Sequence, residues 1–324
     1  MRVSISRHLS VLALAALLGA PASASAADKI GVGKAFSTAF AFIPIDVGVE
    51  SGIMQKHGLD VTISGFNGSA GLQQAVTAGQ LDISLGSGTD MAFVVKGVPV
   101  KAVAAMAGPP LAYGVTAGID SGINKVEDLK GRKIAVASRN SLVFWLTRHL
   151  SDKMGWGLDG MQIVYISGGN PANIAALRTK QVDALTNGID AGYQLEKDGQ
   201  GKQLVNFGKY VDEYLTHAIY ATNTIMAERP EVLRRFLVAW FETIEYMRTH
   251  RDESVKTEMR VGGVKDAGVA ARVFDEAMPM FSLDGHFDPK ALVAVRKATV
   301  ELEMLPAEPD MAPLYTEAFL PAKH

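Results

Sequence analysis

The residues of this chain whose types and spacing lend themselves to chemistry are hydroxyls and amides at expected helix starts, two acids and one arginine. Ser69, Ser141 and Asn170 each stand where an apolar helical pattern is about to begin. The first N–H groups of a helix, with its dipole, can grip a carboxylate or sulfonate. Each of these side chains equally caps its own helix, and the two roles are compatible. Asp90 and Asp190 fall in first-turn positions after two expected strands. The dipole alone favours a carboxylate there, and either acid would pair with an amine if it faced one. Arg139, in the run Ser138-Arg139-Asn140-Ser141, either reaches inward as a bidentate partner for an anion or lies on a rim in solvent.

Groupings that make or break bonds are incomplete. Asn67-Gly68-Ser69-Ala70-Gly71 nearly forms a nucleophile elbow, but it opens with Asn, and no histidine has an argued place beside Ser69. The stretch 31–36 lacks the third glycine of a dinucleotide loop and the Lys-Ser or Lys-Thr of a phosphate loop. His57, His149, His217, His250, His286 and His324 show no metal-ligand spacing, and there are no cysteines, so thiolate chemistry, disulfides and a lipid-modified cysteine are excluded. The expected chemistry is binding without catalysis, with no cofactor and no metal.

The elements that must position these groups follow an export signal. Arg2, Arg7 and His8 precede an apolar run over 11–18, and Ala24-Ser25-Ala26 supplies small residues for cleavage after Ala26. The run is far shorter than the ~20 residues a spanning helix needs, so the mature protein is expected free in a periplasm. Lys plus Arg number 32 against 34 for Asp plus Glu, without a run of five like charges; no footprint for nucleic acid is visible. At 324 residues the chain is long enough for two domains.

An internal echo divides it. Lys29-Ile30-Gly31-Val32 matches Lys133-Ile134-Ala135-Val136, and Gly58-Leu59-Asp60 matches Gly157-Leu158-Asp159. Ser69 stands 13 residues before Asp82 and Asn170 stands 13 before Asp183, an offset of 101 in both cases. Strand, helix, strand, helix, strand thus occurs twice, which predicts two α/β lobes with parallel-rich sheets flanked by helices. Gly108-Pro109-Pro110 marks one crossing between lobes and the apolar run 217–221 the return. Lobe 1 is expected over 27–110 and 217–324, lobe 2 over 111–216. Beyond the return, helices are predicted over 230–250, 266–280, 289–305 and 311–319.

From Lys29 to about Ala221 the chain resembles the periplasmic substrate-binding proteins of the aliphatic sulfonate, taurine, nitrate and pyrimidine-precursor group, the SsuA/THI5-like proteins of ABC importers. The resemblance rests on Glu50-Ser51-Gly52-Ile53 with His57-Gly58-Leu59-Asp60-Val61, on Ala78-Gly79-Gln80-Leu81-Asp82, on Gln181-Val182-Asp183-Ala184, and on Val126-Glu127-Asp128-Leu129-Lys130-Gly131-Arg132-Lys133-Ile134. It implies the type II periplasmic-binding-protein fold with a double crossover hinge, a small-molecule ligand between the lobes, ABC permease subunits as partners and a monomeric protein. In open α/β sheets ligands sit at the carboxyl ends of strands. This places the site on loops 36–40, 67–71, 86–90, 138–141, 168–173 and 187–190. The candidate ligand-binding residues are Thr38, Phe40, Ser69, Ala70, Gly71, Ser87, Gly88, Thr89, Asp90, Arg139, Asn140, Ser141, Asn170, Asn187, Asp190 and Tyr220. Tyr113, Tyr193 and Trp145 are further candidate walls; Phe40 and Tyr220 stand beside the loops. The helix starts and Arg139 favour a small organic anion, sulfonate or carboxylate. An amine-bearing or pyrimidine-type solute, a ligand-presenting sensor, and a pyrimidine synthase sharing the fold are the alternatives.

Overall fold

The computed structural model describes residues 27–139, 141–211 and 213–322. The expected signal segment, its cleavage point after Ala26, and Asn140 lie outside the described residues. Two five-stranded sheets of one topology carry the internal echo. The first contains β1 (Asp28–Lys34), β2 (Leu59–Gly65), β3 (Ile83–Ser87), β4 (Val100–Ala107) and β10 (His217–Thr222), in the order β2-β1-β3-β10-β4. The second contains β5 (Tyr113–Gly118), β6 (Lys133–Val136), β7 (Gln162–Tyr165), β8 (Ala184–Gly188) and β9 (Gly201–Asn206), in the order β7-β6-β8-β5-β9. In each sheet four strands run in one direction, and the strand arriving from the other half lies antiparallel between two of them.

The aspartates of the echo do the same work in both sheets. Asp82 accepts the Gly31 N–H at 2.9 Å and Asp183 accepts the Lys133 N–H at 2.9 Å, so each side chain ties the start of the third strand to the first. The backbone pairs the same residues the other way, Asp82 N–H to the Gly31 carbonyl and Asp183 N–H to the Lys133 carbonyl. A charged acceptor at a strand edge satisfies an N–H that the ladder leaves over.

Helices follow the strands and cover both faces. The first half has α1 (Ile43–Glu50), α2 (Ile53–Lys56), α3 (Ser69–Thr77) and α4 (Met91–Val95); the second has α5 (Leu142–Lys153), α6 (Gly169–Arg178) and α7 (Ile189–Lys197). After β10 come α8 (Asn223–Glu228), α9 (Pro230–Thr249), α10 (Arg251–Gly262), α11 (Ala267–Ala277) and α12 (Pro289–Glu301). Pro230 opens α9, where its missing N–H costs nothing, and Phe236, Leu237, Trp240 and Ile244 are buried along one face. Asp266 caps α11 by accepting the Val269 N–H at 3.0 Å, and Asp288 caps α12. No helix among the described residues is long and apolar enough to cross a membrane.

Two expectations are corrected here, and one helix is added. The apolar run 217–221 is not a crossing but the strand β10 itself, inside the first sheet; the crossing precedes it. The segment 311–319 holds only one 3-10 turn, Ala312–Leu314, because Pro313 and the extended Tyr315 stop it. And α10 escaped the sequence reading, because its buried positions are Ser254, Val255, Thr257 and Glu258, a mostly polar face that leaves no apolar periodicity. The two crossings lie side by side, with the Thr216 N–H bonded to the Ala107 carbonyl at 2.9 Å.

Candidate functional site

On the first half, the carboxyl ends of the parallel strands lead into α3 and into the turn 88–90. Helix α3 starts one residue earlier than a Ser69 cap would require. Gly68, with φ +121°, is the N-cap and no side chain caps the helix, so the first-turn N–H groups of Ser69, Ala70 and Gly71 keep their donor capacity. The Ser69 hydroxyl turns instead to Asp90 and favours its charged form. Asp90 is only 2% exposed, and its Oδ2 accepts the Ser87 N–H at 3.2 Å. Burial outweighs these bonds and pushes its carboxyl up to about 7.

The surrounding loop is held by several contacts, among them one from Tyr220. Its ring is fully buried, and its hydroxyl points at the carbonyls of Ser87 at 2.7 Å and Gly88 at 3.2 Å. Tyr220 therefore holds the loop from behind. Gly88 packs against the Leu215 carbonyl, where any Cβ would clash, and the hydroxyls of Ser87 and Thr89 bond at 3.0 Å. Phe40 sits edge-on to Phe274 at 6.1 Å and beside Phe281 at 5.8 Å, packed in the core. Thr38 is exposed in the turn after β1.

On the second half, Ser141 caps α5, accepting the Phe144 N–H at 3.3 Å and donating to the Ser138 carbonyl at 2.8 Å. Arg139 is exposed, its guanidinium stacked 4.9 Å over the Tyr165 ring on the edge strand β7. Helix α6 mirrors α3. Gly168 at φ +108° is its N-cap, no side chain caps it, and Asn170 lies exposed in the first turn instead of capping. Asn187 is buried, with Oδ1 accepting the Thr116 hydroxyl at 3.2 Å and Nδ2 unpartnered. Asp190 sits in the first turn of α7, its carboxyl raised above the usual range by burial.

Between the halves, the candidate walls Tyr113, Trp145 and Tyr193 meet residues to which the sequence reading gave no role. His217, the first residue of β10, stacks on Tyr113, the first residue of β5, and meets Phe42 edge-on at 5.1 Å. Burial holds the His217 imidazole neutral, down to about 3, and among the described residues its Nδ1 has no hydrogen-bond partner. On one flank Trp145 donates from Nε1 to Glu301 of α12 at 2.5 Å and stacks on Tyr214. On the other, α7 meets α11: Arg272 bonds Glu196 at 2.5 Å and lies 3.6 Å over the Tyr193 ring, and Lys197 pairs with Asp266. Glu258 of α10 is buried nearby, raised to about 8 by desolvation and by the charge on Asp190. The one signal for His217 was its place at a crossing, and an inward acid on a polar helix gives none.

Known proteins share this architecture. A Brucella abortus protein provisionally named a binding protein is 26% identical over 209 residues, which span 64% of this chain and 63% of that protein. The periplasmic aliphatic sulphonate binding protein SsuA from Escherichia coli superposes with a TM-score of 0.74 at 16% identity, covering 88% of this chain and 91% of its own. The desulfurization enzyme DSZB has the fold too, with a TM-score of 0.62 at 18% identity over 90% of this chain and 97% of its own. The family model described as NMT1/THI5 like matches residues 39–254, more than half of the sequence, and the chain belongs to that family.

Proposed function

We propose that this protein is an extracytoplasmic solute-binding protein of an ABC importer, which captures a small organic anion between its halves and delivers it to membrane permease subunits. The observation that carries the reading is the pair of helix starts α3 and α6. They occupy equivalent places in the two sheets, each opens on a positive-φ glycine, and neither has a side-chain cap. Free first-turn N–H groups and helix dipoles from both halves favour a carboxylate or sulfonate. The kinship with a periplasmic sulphonate binder agrees with this. Asp90, whose carboxyl burial raises to about 7, is neutral below that pH and there does not oppose such an anion. The fold also supports an enzyme, but this chain has no cysteine and no complete catalytic grouping, and we assign it binding alone. Export, cleavage after Ala26 and a monomeric state complete the proposal.

Native mass spectrometry of protein from its own periplasm, followed by calorimetry with alkanesulfonates and carboxylates, tests it. A mature mass beginning at Ala27, a 1:1 complex and compaction in X-ray scattering on binding are expected. Turnover of the bound compound, or binding without compaction, would overturn the assignment.

A further inference from the structure

We propose that the groove between α5 and α12, lined by both halves and by the chain that crosses between them, is a second ligand site, for a small aromatic carboxylate. The site stands apart from the solute-binding reading above and does not depend on it.

The groove has a volume of about 500 Å³, within the range of roughly 300–1,000 Å³ that small-molecule pockets occupy. One wall is a face of α5, with Trp145, His149 and Lys153; the facing wall is α12, with Val293, Ala294 and Lys297, and Val211 of the crossing segment lies between them. None of these residues belongs to the loops at the carboxyl ends of the parallel strands, where the solute is expected. Bonds from both helices hold the crossing segment in place: Lys153 donates to the Tyr210 carbonyl at 2.6 Å, and Lys290 pairs with Glu213 at 2.6 Å. Trp145 bridges the two walls by donating from Nε1 to Glu301 at 2.5 Å. The groove is therefore formed before a ligand arrives, which spares the cost of ordering it.

Its chemistry selects one class of occupant. The rings of Trp145 and His149 stack at 4.6 Å with 14° between planes, a flat wall. On the facing helix Val293 is 43% exposed, an apolar surface that a planar ring would cover. The charges that line the groove do not balance: Lys153, Lys290 and Lys297 stand against Glu213 and Glu301. Burial pushes the His149 imidazole below its ordinary value, so it adds no charge at pH 7. One positive charge is left over, and Lys297 carries it, because among the described residues no hydrogen bond or ion pair engages its ammonium. A single carboxylate answers an ammonium group by a charge-assisted hydrogen bond. A dianion would exceed the charge on offer, and a cation would meet three ammonium groups.

Calorimetry on the mature protein with benzoate and phenylacetate, each against its uncharged amide, tests this. Each acid is expected to bind 1:1 and at least tenfold more tightly than its amide. Lys297→Glu and Val293→Asp, both at exposed positions, should each weaken the acids at least tenfold, with circular dichroism confirming that both variants fold. Acids that bind no better than their amides, or binding that either substitution leaves intact, overturn the proposal, as does the absence of binding by both acids. The solute-binding reading stands or falls separately, on its own titration with alkanesulfonates.

Discussion

The ring of Tyr113 lies nearly parallel to that of His217, with centroids 6.3 Å apart and 22° between planes. Each is the first residue of the strand that enters its sheet from the other half. The register fixes what surrounds them: Tyr113 stands opposite Gly188, two residues before Asp190, and His217 opposite Ser87, three before Asp90. One stacked pair therefore spans the base of the cleft and ends beside both acidic turns. Under the proposed function, a stack that sits where the halves join stays fixed for a ligand while the outer parts of the halves move by a hinge.

The buried, neutral imidazole gives His217 a defined signature in acid. Its pKa is depressed to about 3 in the folded state, against an ordinary value near 6.5. The unfolded chain therefore binds the proton first, and the contribution of His217 to stability, complete above about 6.5, is lost as pH falls toward 3. Between pH 7 and pH 5 that loss is about 2 kcal/mol. Urea unfolding at the two pH values should show His217→Gln losing less stability than the native protein by roughly that amount. Parallel losses would mean that His217 is already accessible to protons in the fold.

Trp145 should report closure. Its indole is 5% exposed, bonded to Glu301 of the other half and stacked on Tyr214, so parting the halves on this flank wets it. Of the other tryptophans, Trp240 is fully buried on the inner face of α9 and belongs to one half. Ligand binding is expected to blue-shift the emission, and Trp145→Phe should abolish most of the shift. A ligand-linked shift that persists in this variant would assign closure to another part of the seam.

How far the residues alone revealed this arrangement depends on what kind of signal each element gave. The duplication was legible because Asp82 and Asp183 perform one task at one offset, and a side chain that ties two strands leaves a spaced mark. The helix starts were found to within two residues. The capping residue was misread because Gly68 and Gly168, not Ser69 and Asn170, take the positive φ at which the chain turns into the helix. Phe40 and Tyr220 pack into the core, which the residues alone do not show, because standing beside a cleft loop in sequence does not tell which face of the loop a ring meets. Glu258 and α10 were invisible for a physical reason: a helix that buries serine, threonine and glutamate against neighbouring helices has no apolar stripe.

The contact of α7 with α11 should make affinity depend on salt. Arg272 is half exposed, so its pair with Glu196 is worth little alone, but its stacking on Tyr193 adds to it. Together they favour the closed state by about 1 kcal/mol, roughly fivefold in ligand affinity. Arg272→Ala should weaken binding by that factor at low ionic strength without touching the ligand. Native affinity should approach that of the variant at 1 M salt, where the screening length falls to about 3 Å. A deficit in the variant that is the same at all salt concentrations would assign the effect to packing.

Asp90 ties stability and ligand charge to one titration. Its folded-state pKa is raised to about 7 from an ordinary value near 3.9. Its contribution to stability is therefore complete below about 3.9 and is lost as pH rises through about 7, by about 1.4 kcal/mol for each pH unit in between. Asp90→Asn keeps the shape and removes the charge, so it should unfold at higher urea than the native protein at pH 8 and at nearly the same urea at pH 4. Binding should follow the same titration, because ionised Asp90 lies against Ser69 at the start of α3, where the anionic end of the ligand is expected. Native affinity for an alkanesulfonate should fall about tenfold from pH 6 to pH 8, and that of Asp90→Asn should stay level. If the native protein binds the sulfonate more tightly at pH 8 than at pH 6, the anion is not held at α3, and the ligand is oriented the other way.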